Sequence, residues 1–315
     1  MKRLAILLCC AFLLAAAACG APKTEDTPAT IPAPAASAGE AAAQETDKGG
    51  IVVATAEEFA AAVGSDATIL LGASRILLCQ GEDLDEGNYD DENQPFPLDE
   101  YPNLRWHRVF DGWELVVTGV DKLTIRGMTV RDDDAARLLT GPRYAFVLRF
   151  EDCKNIAIEN VVAGHTDEGS CMGGVFAFEN CENVSITGSE LYGCGTEGLL
   201  LDGTRNFSMS GSSIYECTYY IMTLRNSRDV TFTDCLFRDN REYTLINGAG
   251  LKNVVFEGCE FLRNTGQAMF DVAGPKGSIT MRNCTFTDNN VPNFFNARAV
   301  RFVNCTAEDT VINPK

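Results

Sequence analysis

Positive charge is scarce in this sequence, and no cluster of basic residues stands out along the chain. Lysine and arginine number 26 against 44 aspartate and glutamate residues, so the formal net charge is −18 at pH 7. Proteins that bind nucleic acid neutralise phosphates with basic patches, so this deficit predicts no nucleic-acid partner. Residues 82–100 hold nine acidic residues and no lysine or arginine, which predicts a solvated acidic loop.

Several motifs that carry chemistry are also missing. No C-x-x-C spacing occurs among the 13 cysteines, which excludes the common patterns of a zinc site. The sequence contains neither the G-x-S-x-G elbow of serine hydrolases nor a glycine-rich phosphate loop. Any site must therefore be found in the spatial arrangement of residues rather than in a local motif.

The one long apolar run lies at the N-terminus. Lys2 and Arg3 precede residues 4–14, which are apolar but too few to form a permanent membrane-spanning helix. Small residues at positions 15–18 lead into Cys19. The pattern resembles a bacterial lipoprotein signal, which implies that residues 1–19 are a signal peptide and that Cys19 is lipidated. An ordinary secretory signal is the alternative.

The next segment, residues 20–50, is rich in Ala, Pro, Thr, Glu and Ser and has no aromatic residue. Such a segment cannot bury enough surface to offset the entropy of ordering, so we expect a disordered tether. Residues 51–315 remain as one domain, which we expect to be monomeric. Together these segments predict an exported protein that is lipid-anchored to the outer face of a bacterial membrane.

Internal repetition determines the predicted fold. A turn residue followed by two alternating apolar residues begins at Asn183, Asn206, Asp229 and Asn253, at intervals of 23, 23 and 24 residues. Each copy has the period-two alternation of a strand, and no helical pattern separates the copies. A fixed period of this length predicts a solenoid, in which equivalent residues of successive coils stack about 4.8 Å apart.

Two further strands occur in each repeat. The second series of inward residues is Leu148/Phe150, Phe176/Phe178, Leu199/Leu201, Met222/Leu224, Leu245/Asn247 and Phe270/Val272. The third series is Val161/Ala163, Ser189/Leu191, Ser212/Ile214, Cys235/Phe237, Cys259/Phe261, Cys284/Phe286 and Cys305/Ala307. Upstream, an earlier coil is predicted from Leu115/Val117, Leu123/Ile125 and Met128/Val130. Three strands per period, joined by Asn and Gly turns, make one coil.

A short helix is predicted before the first coil. Thr55 is the expected N-cap, Glu58 its capping-box partner and Gly64 the residue that follows the helix. A helix at this place would cover the open end of the solenoid, which repeat proteins require for solubility.

Ten of the cysteines follow Cys19. Four of them form one inward column, and Cys194 and Cys217 begin another that continues as Asn240, Asn264 and Asn289. Stacked strands hold successive Cβ atoms farther apart than the roughly 3.5–4.5 Å that a disulfide needs, so we expect buried thiols. Disulfides remain an alternative in an exported chain. The asparagines are expected to donate hydrogen bonds from turn to turn.

The repeats and the segments 110–115 (FDGWEL), 163–166 (AGHT) and 192–196 (YGCGT) resemble right-handed parallel β-helix proteins of the pectate-lyase-like superfamily, bacterial surface lipoproteins among them. The resemblance implies an all-β, right-handed, single-stranded parallel β-helix with a short N-terminal capping helix. It does not decide activity, because that superfamily contains lyases, hydrolases, epimerases and non-enzymes.

Outward residues of the second strand series give the candidate site. One column is predicted to contain Glu151, Glu179, Asp202 and Arg225, followed by Gly248 and Ala273. Its neighbour contains Arg149, Ala177, Leu200, Thr223, Ile246, Asp271 and Asn296. Crowded carboxylates repel one another, and a bound cation or a proton relieves the repulsion. Insertions at 131–143, with Asp132–Asp134, and around His165, Asp167, Glu168 and Cys171 are expected to rim this face.

Two functions are consistent with these residues. The first is non-catalytic binding of a glycan or another surface component, with Glu151, Glu179, Asp202, Arg149 and Arg143 as binding residues. The second, which the resemblance to calcium-dependent pectate lyases implies, is a polysaccharide lyase acting on uronates. In that case Glu151, Glu179 and Asp202 would hold calcium, and Arg225 and His165 would be catalytic. The hydrolase pattern is incomplete, because Asp132-Asp133 and Gly164-His165 are present without an Asn-Thr-Asp. No other cofactor is implied.

Overall fold

A computed structural model of the protein describes residues 49–81, 94–128, 135–166, 173–193, 196–292 and 298–309. The signal peptide with Cys19, nearly all of the tether, most of the acidic loop, Asp132–Asp134, Asp167, Glu168, Cys171, Cys194 and Asn296 lie outside these residues. The described chain contains one short helix and 27 short strands that belong to three sheets.

From β5 (Gly112–Thr118) to β25 (Thr285–Thr287), each of the three sheets takes every third strand of the chain. Sheet 1 contains β1 (Ile51–Val53), β2 (Thr68–Leu71), β6 (Asp121–Gly127), β9 (Lys154–Glu159), β12 (Glu182–Thr187), β15 (Arg205–Ser210), β18 (Arg228–Thr233), β21 (Lys252–Glu257), β24 (Ile279–Arg282) and β26 (Val300–Val303). Sheet 2 contains β4 (Leu104–Val109), β5 (Gly112–Thr118), β8 (Phe146–Glu151), β11 (Gly174–Glu179), β14 (Glu197–Asp202), β17 (Tyr220–Arg225), β20 (Thr244–Ala249) and β23 (Ala268–Ala273). Sheet 3 contains β3 (Arg75–Leu77), β7 (Arg137–Thr140), β10 (Val162–His165), β13 (Glu190–Tyr192), β16 (Ser213–Tyr215), β19 (Leu236–Arg238), β22 (Glu260–Leu262), β25 (Thr285–Thr287) and β27 (Thr306–Glu308).

Successive coils pair in parallel and in the predicted register. Val184 pairs with Phe207, Phe207 with Val230 and Val230 with Val254, so the turn residues that precede them also stack. Asn206 donates from Nδ2 to Asn183 Oδ1 over 3.0 Å. The asparagines of this ladder have positive φ, which asparagine tolerates better than most residues. The parallel solenoid is confirmed.

The register of sheet 2 differs from the prediction in one coil. Ile246, not Leu245, pairs with Met222, and Gly248 pairs with Leu224. This coil is one residue longer than the coil before it, because Arg225 pairs with Ala249 whereas Asp202 pairs with Arg225. The outward positions assigned to Ile246 and Gly248 therefore belong to Asn247 and Ala249.

The first coils contain two further differences from the prediction. The third strand of the early coil is β7 rather than the Met128/Val130 pair, since Leu138 pairs with Ala163; Met128 is 39% exposed and Val130 lies outside the described residues. In addition, β4 and β5 form an antiparallel hairpin at the edge of sheet 2. Sequence periodicity did not identify β4, because it occurs once and has no copy in later coils.

The predicted helix is present as α1 (Ala56–Ala62). Thr55 Oγ1 accepts a hydrogen bond from the Glu58 backbone N–H at 3.1 Å, as predicted for an N-cap. Phe59 and Ala60 are fully buried against the first coil. Among the described residues, no helix has the length and apolar character that crossing a membrane requires.

Apolar columns fill the inside of the solenoid. Phenylalanine rings stack from coil to coil, for example Phe232 on Phe256 with centroids 4.5 Å apart and Phe261 on Phe286 at 4.8 Å. The eight described cysteines are free thiols; seven are buried, as predicted, and Cys305 is half-buried. Their sulfurs donate to backbone carbonyls, as Cys259 does to Phe232 at 3.4 Å.

Polar residues inside the solenoid form continuous ladders. The backbone N–H of Asn240 donates to Asn264 Oδ1 at 3.1 Å, and that of Asn264 donates to Asn289 Oδ1 at 3.0 Å, which confirms the predicted ladder. At the C-terminal end of the predicted acidic loop, Asp99 and Glu100 are exposed, as predicted, whereas Leu98 is buried and Phe96 packs against the core.

Candidate functional site

The predicted acidic column lies on the outward face of sheet 2. Glu151 pairs with Glu179, Glu179 with Asp202 and Asp202 with Arg225. These side chains project at the C-terminal ends of successive strands, and the column continues as Ala249 and Ala273. The structure thus brings together the four residues that the sequence analysis placed side by side.

Each carboxylate of the column already has a partner. Both oxygens of Glu151 lie 2.6 Å from the Arg105 guanidinium of β4. Asp202 accepts a hydrogen bond from Asn226 Nδ2 at 3.0 Å. Glu179 forms an ion pair with Arg149. Repulsion within the column is therefore offset by neighbouring side chains.

Arg149 joins the column to the β4–β5 hairpin. Its Nε donates to Glu114 Oε1 at 2.6 Å, and another nitrogen donates to Glu179. Glu114 is 1% exposed and also accepts from the Phe146 backbone N–H. Burial lowers the pKa of Arg149, but the charges of Glu114 and Glu179 outweigh it and the net pKa is raised. Arg149 is thus held as a cation between two carboxylates.

The carboxylates of this column are therefore not free to act together as calcium ligands. Among the residues that the structure describes, no group of three or more His, Cys, Asp or Glu side chains is arranged to hold a metal ion. Glu151 and Glu179 each form an ion pair with an arginine, which supplies the compensating positive charge. Ion binding would require these pairs to separate.

The most unusual residue of this face is Glu197, which the sequence analysis did not identify. It is 6% exposed, and its Oε2 has no hydrogen-bond partner among the described residues. Burial raises the pKa of Glu197 to about 7, and the Thr223 hydroxyl and the charges of Arg225 and Arg149 oppose that shift only in part. Near neutral pH this carboxyl is therefore present in both protonation states.

Local backbone geometry places Glu197 on the outside. Its sequence spacing from Leu199 and Leu201 matches the inward side, but the alternation is interrupted at Gly198, as it is at the equivalent buried residues Val175 and Ile221 of the adjacent coils. A Cβ atom on Gly198 would lie 2.2 Å from the core side chain of Ile214, so Gly198 faces the core and Glu197 faces outward. Within sheet 2, Glu197 pairs with Gly174 of the preceding coil and with Tyr220 of the following coil. The signal available in the sequence was an acidic residue at a position that strict alternation from Leu199 and Leu201 would place inside the solenoid.

A small apolar cluster forms the floor beside Glu197. Phe146, Ala177 and Leu200 are at most 8% exposed, although they lie outside the solenoid wall and do not belong to its main core. Gly174 leaves the room that the Phe146 ring occupies, because a Cβ there would be 2.3 Å from that ring. The Arg149 guanidinium lies 4.8 Å from the ring centroid on its other side. We call Glu197, Thr223, Phe146, Ala177 and Leu200 the sheet 2 niche.

Aromatic side chains occur in the segments that lead into the strands of sheet 2. Tyr220 is half-buried beside Glu197. Tyr219 and Tyr243 have ring centroids 4.9 Å apart, and Phe110 and Tyr144 5.0 Å apart. Tyr243 is 45% exposed and Phe110 54% exposed. In addition, the hydroxyl oxygen of Thr196, next to Glu197, is buried and has no partner among the described residues.

Two predicted site residues lie at the margin of this arrangement. His165 is 3% exposed, and its Nε2 is 3.0 Å from the Ala145 carbonyl, so the ring is held against backbone rather than displayed on the face. Arg143 has an exposed side chain, while its backbone N–H donates to Asp111 Oδ2 at 2.5 Å. The structure does not bring either side chain into the acidic column.

Comparisons with known proteins identify the fold. The family described as "Right handed beta helix region" matches residues 115–313. A search of curated sequences gives no match. Similar solved structures include a pectate lyase from Xanthomonas campestris, at 12% identity over 85% of this chain and 81% of that one, with a TM-score of 0.47. A pectin methylesterase from Aspergillus niger has 9% identity over 85% and 87% of the chains, with a TM-score of 0.46.

Proposed function

The chain belongs to the right-handed β-helix family, and from that premise we propose that it is a lipid-anchored surface protein that binds a glycan, without catalysis, in the sheet 2 niche. The anchor would be Cys19 at the end of the signal segment. Replacing Cys19 with alanine should move the protein from the membrane fraction into the soluble exported fraction. Retention of the variant in the membrane fraction would contradict the anchor.

One observation carries the proposed binding function. Glu197 is almost fully buried, yet one of its oxygens has no partner among the described residues. Burying a polar group without a hydrogen bond costs about 1–3 kcal/mol. Such a group in an outward niche is explained most simply if a ligand supplies the missing partner.

The chemistry around Glu197 favours a carbohydrate. Ligand sites combine apolar and aromatic walls with a few polar groups that fix orientation. Here the apolar floor and the tyrosines provide the walls, and Glu197 and Thr223 provide the polar groups. A carboxyl whose pKa is about 7 can accept a hydrogen bond from a sugar hydroxyl or donate one to it.

A glycan-array screen followed by calorimetry tests the proposal. For a glycan that the parent protein binds, Glu197→Leu should lower the affinity by about tenfold, which corresponds to one lost hydrogen bond to a buried group. Glu197→Gln, which keeps a neutral hydrogen-bonding group, should retain most of the affinity. Glu260→Gln, an exposed residue of sheet 3, is the matched control. Equal affinity of the parent and Glu197→Leu would exclude the niche.

A calcium-dependent lyase is the second candidate, and one observation favours it. Arg225 is exposed beside Asp202 and forms no ion pair with another described residue, as a base in contact with substrate would require. Incubation with polyuronates and calcium, followed by ultraviolet absorbance of unsaturated products, tests it. Product formation that is lost in Arg225→Ala and on chelation would replace the non-catalytic proposal.

A further inference from the structure

A second outward surface, on sheet 1, has the opposite charge. Its first outward position is occupied in successive coils by Lys154, Glu182, Arg205, Arg228 and Lys252. Paired residues of neighbouring strands are separated by about 4.8 Å, so the last three members place like charges next to one another. The sequence shows no basic run here, because these residues are more than 20 positions apart.

Several cations of the solenoid are paired with a carboxylate of another coil. Arg126 lies 2.6 Å from Glu159, Lys122 lies 3.0 Å from Asp66 and Arg263 lies 2.8 Å from Asp239. Arg205 follows the same pattern, with Glu182 at 2.6 Å. Such pairs relieve the repulsion between stacked charges in a chain with many of them.

Arg228 and Lys252 depart from this pattern. Arg228 has only its sequence neighbour Asp229 at 4.0 Å, and that aspartate already accepts a hydrogen bond from Asn253. Lys252 is exposed and has no ion pair with another described residue. Neighbouring like charges repel by about 1 kcal/mol in water at this separation.

Arg225 adds a third cation to the same corner. Only Asn226 and Ser227 separate it from Arg228, and they form the turn between β17 and β18. Arg225 is exposed and likewise lacks an ion pair with the described residues. We call Arg225, Arg228 and Lys252 the basic corner.

The surface beside the basic corner is flat and rich in hydroxyl groups. The next outward column of sheet 1 contains Ser185, Ser208, Thr231 and Val255, which pair in register on four successive coils, with Val255 on the coil of Lys252. None of these side chains is charged or bulky. A linear ligand could therefore lie along the solenoid axis in contact with both columns.

We propose that the basic corner and the adjoining Ser/Thr column bind a linear polyanion whose charged groups follow the solenoid axis. This site is separate from the niche, because sheet 1 and sheet 2 face different directions and the turn at Asn226 and Ser227 separates β17 from β18. Two arginines favour phosphate groups, whose oxygens accept two parallel hydrogen bonds from a guanidinium. The local positive charge makes such binding possible in a protein with a net charge of −18, and added salt should weaken it.

Titration of the purified full-length protein with polyphosphate at low ionic strength tests the proposal. The double variant Arg228→Ser/Lys252→Ser should bind at least about tenfold more weakly than the parent, a loss of about 1.4 kcal/mol. The double variant Arg75→Ser/Arg241→Ser removes the same charge from exposed positions away from sheet 1 and should bind like the parent. Orthophosphate at equal phosphate concentration should compete poorly, because it cannot engage cations on two coils at once.

Four results would overturn the proposal: no binding of polyphosphate by the parent, equal weakening in both double variants, equal competition by orthophosphate, or binding of the parent to anionic lipid vesicles alone. The niche is tested independently, since Glu197→Leu should leave polyphosphate binding unchanged and the Arg228→Ser/Lys252→Ser variant should leave glycan binding unchanged. Failure of one site is thereby distinguishable from failure of the other.

Discussion

The inside of the solenoid and the outward face of sheet 2 both bury side chains, but they treat polar groups differently. Inside, Asn264 is fully buried and its side chain bonds to Asn240, Asn289 and the Phe237 carbonyl. Outside, Glu197 is buried to nearly the same extent, yet its Oε2 has no partner among the described residues.

The difference lies in repetition. A polar residue that recurs in each coil is satisfied by its copies above and below, so the buried ladder stabilises the fold. A polar residue that occurs once has no such copies, and Gly174 and Tyr220 stand where they would be. A buried polar residue that does not recur in the neighbouring coils is therefore a physical indication of a binding site.

Removing an aromatic ring from the inside of the solenoid should have the largest effect on stability, and removing one from the outside should have a small effect. Phe256 is fully buried and stacks 4.5 Å from Phe232, so Phe256→Ala should lower the free energy of unfolding by about 4 kcal/mol through lost burial and the cavity left behind. Tyr243→Ala, on the outside and 45% exposed, should cost less than about 1 kcal/mol. Urea denaturation measures both. Similar losses would contradict the distinction between inner and outer aromatics.

Breaking the inner ladder should cost slightly less. Asn264→Ala leaves the Asn240 amide and the Phe237 carbonyl without partners, and we expect a loss of about 3 kcal/mol. Asn253→Ala removes an exposed ladder bond to Asp229 and should cost under about 1 kcal/mol. Chemical denaturation of the two variants gives the comparison. Equal losses in the free energy of unfolding would show that burial does not determine how strongly these hydrogen bonds stabilise the protein.

The raised pKa of Glu197 should make the free energy of unfolding depend on pH. The pKa of Glu197 is raised to about 7 in the folded protein, against about 4.3 for glutamate in an unfolded chain. Its contribution to stability is complete below the unfolded pKa and is lost as pH rises through about 7. Relative to the parent, Glu197→Gln should therefore gain up to about 3 kcal/mol as pH rises over that interval.

Denaturation of Glu197→Gln at a series of pH values measures this gain, with Glu260→Gln as the control that should show none. A constant difference between Glu197→Gln and the parent at all pH values would mean that Glu197 titrates as an ordinary exposed glutamate.

The smallest effect is expected for the inner thiols. Cys259 occupies the same column as Ser189 and Ser212, and its sulfur donates to a carbonyl as a hydroxyl does. Cys259→Ser should change the free energy of unfolding by less than about 1 kcal/mol, because the hydroxyl can make the same bond. A loss similar to that of Phe256→Ala would mean that the column requires sulfur for packing.

Much of the fold followed from the sequence because repetition converts spacing into position. The stacking of Asn183, Asn206 and Asp229 required only that the period be constant. The prediction slipped where one residue is added before Ile246. It also missed β4, since a strand that occurs once gives no periodic signal.

The site was predictable only in part for a related reason. Counting by repeats found the column from Glu151 to Arg225 but could not reveal that Arg105 compensates Glu151, because Arg105 belongs to the hairpin. Strict alternation from Leu199 and Leu201 would place Glu197 inside, whereas the break in alternation at Gly198, which recurs at Val175 and Ile221 of the adjacent coils, turns it outward. The basic corner became visible once distant cations were placed on adjacent coils.

The most direct test of the account is a carbon-13 titration of the Glu197 side-chain carboxyl, assigned by the loss of its signal in Glu197→Gln. We predict a midpoint of about 7 in the free protein and a shifted midpoint when the glycan selected by the array is bound. The Glu182 signal, whose pKa is lowered by the hydrogen bond from Arg205, should not respond to the glycan. A Glu197 midpoint at the ordinary value for glutamate, or one that saturating glycan leaves unchanged, would contradict the account.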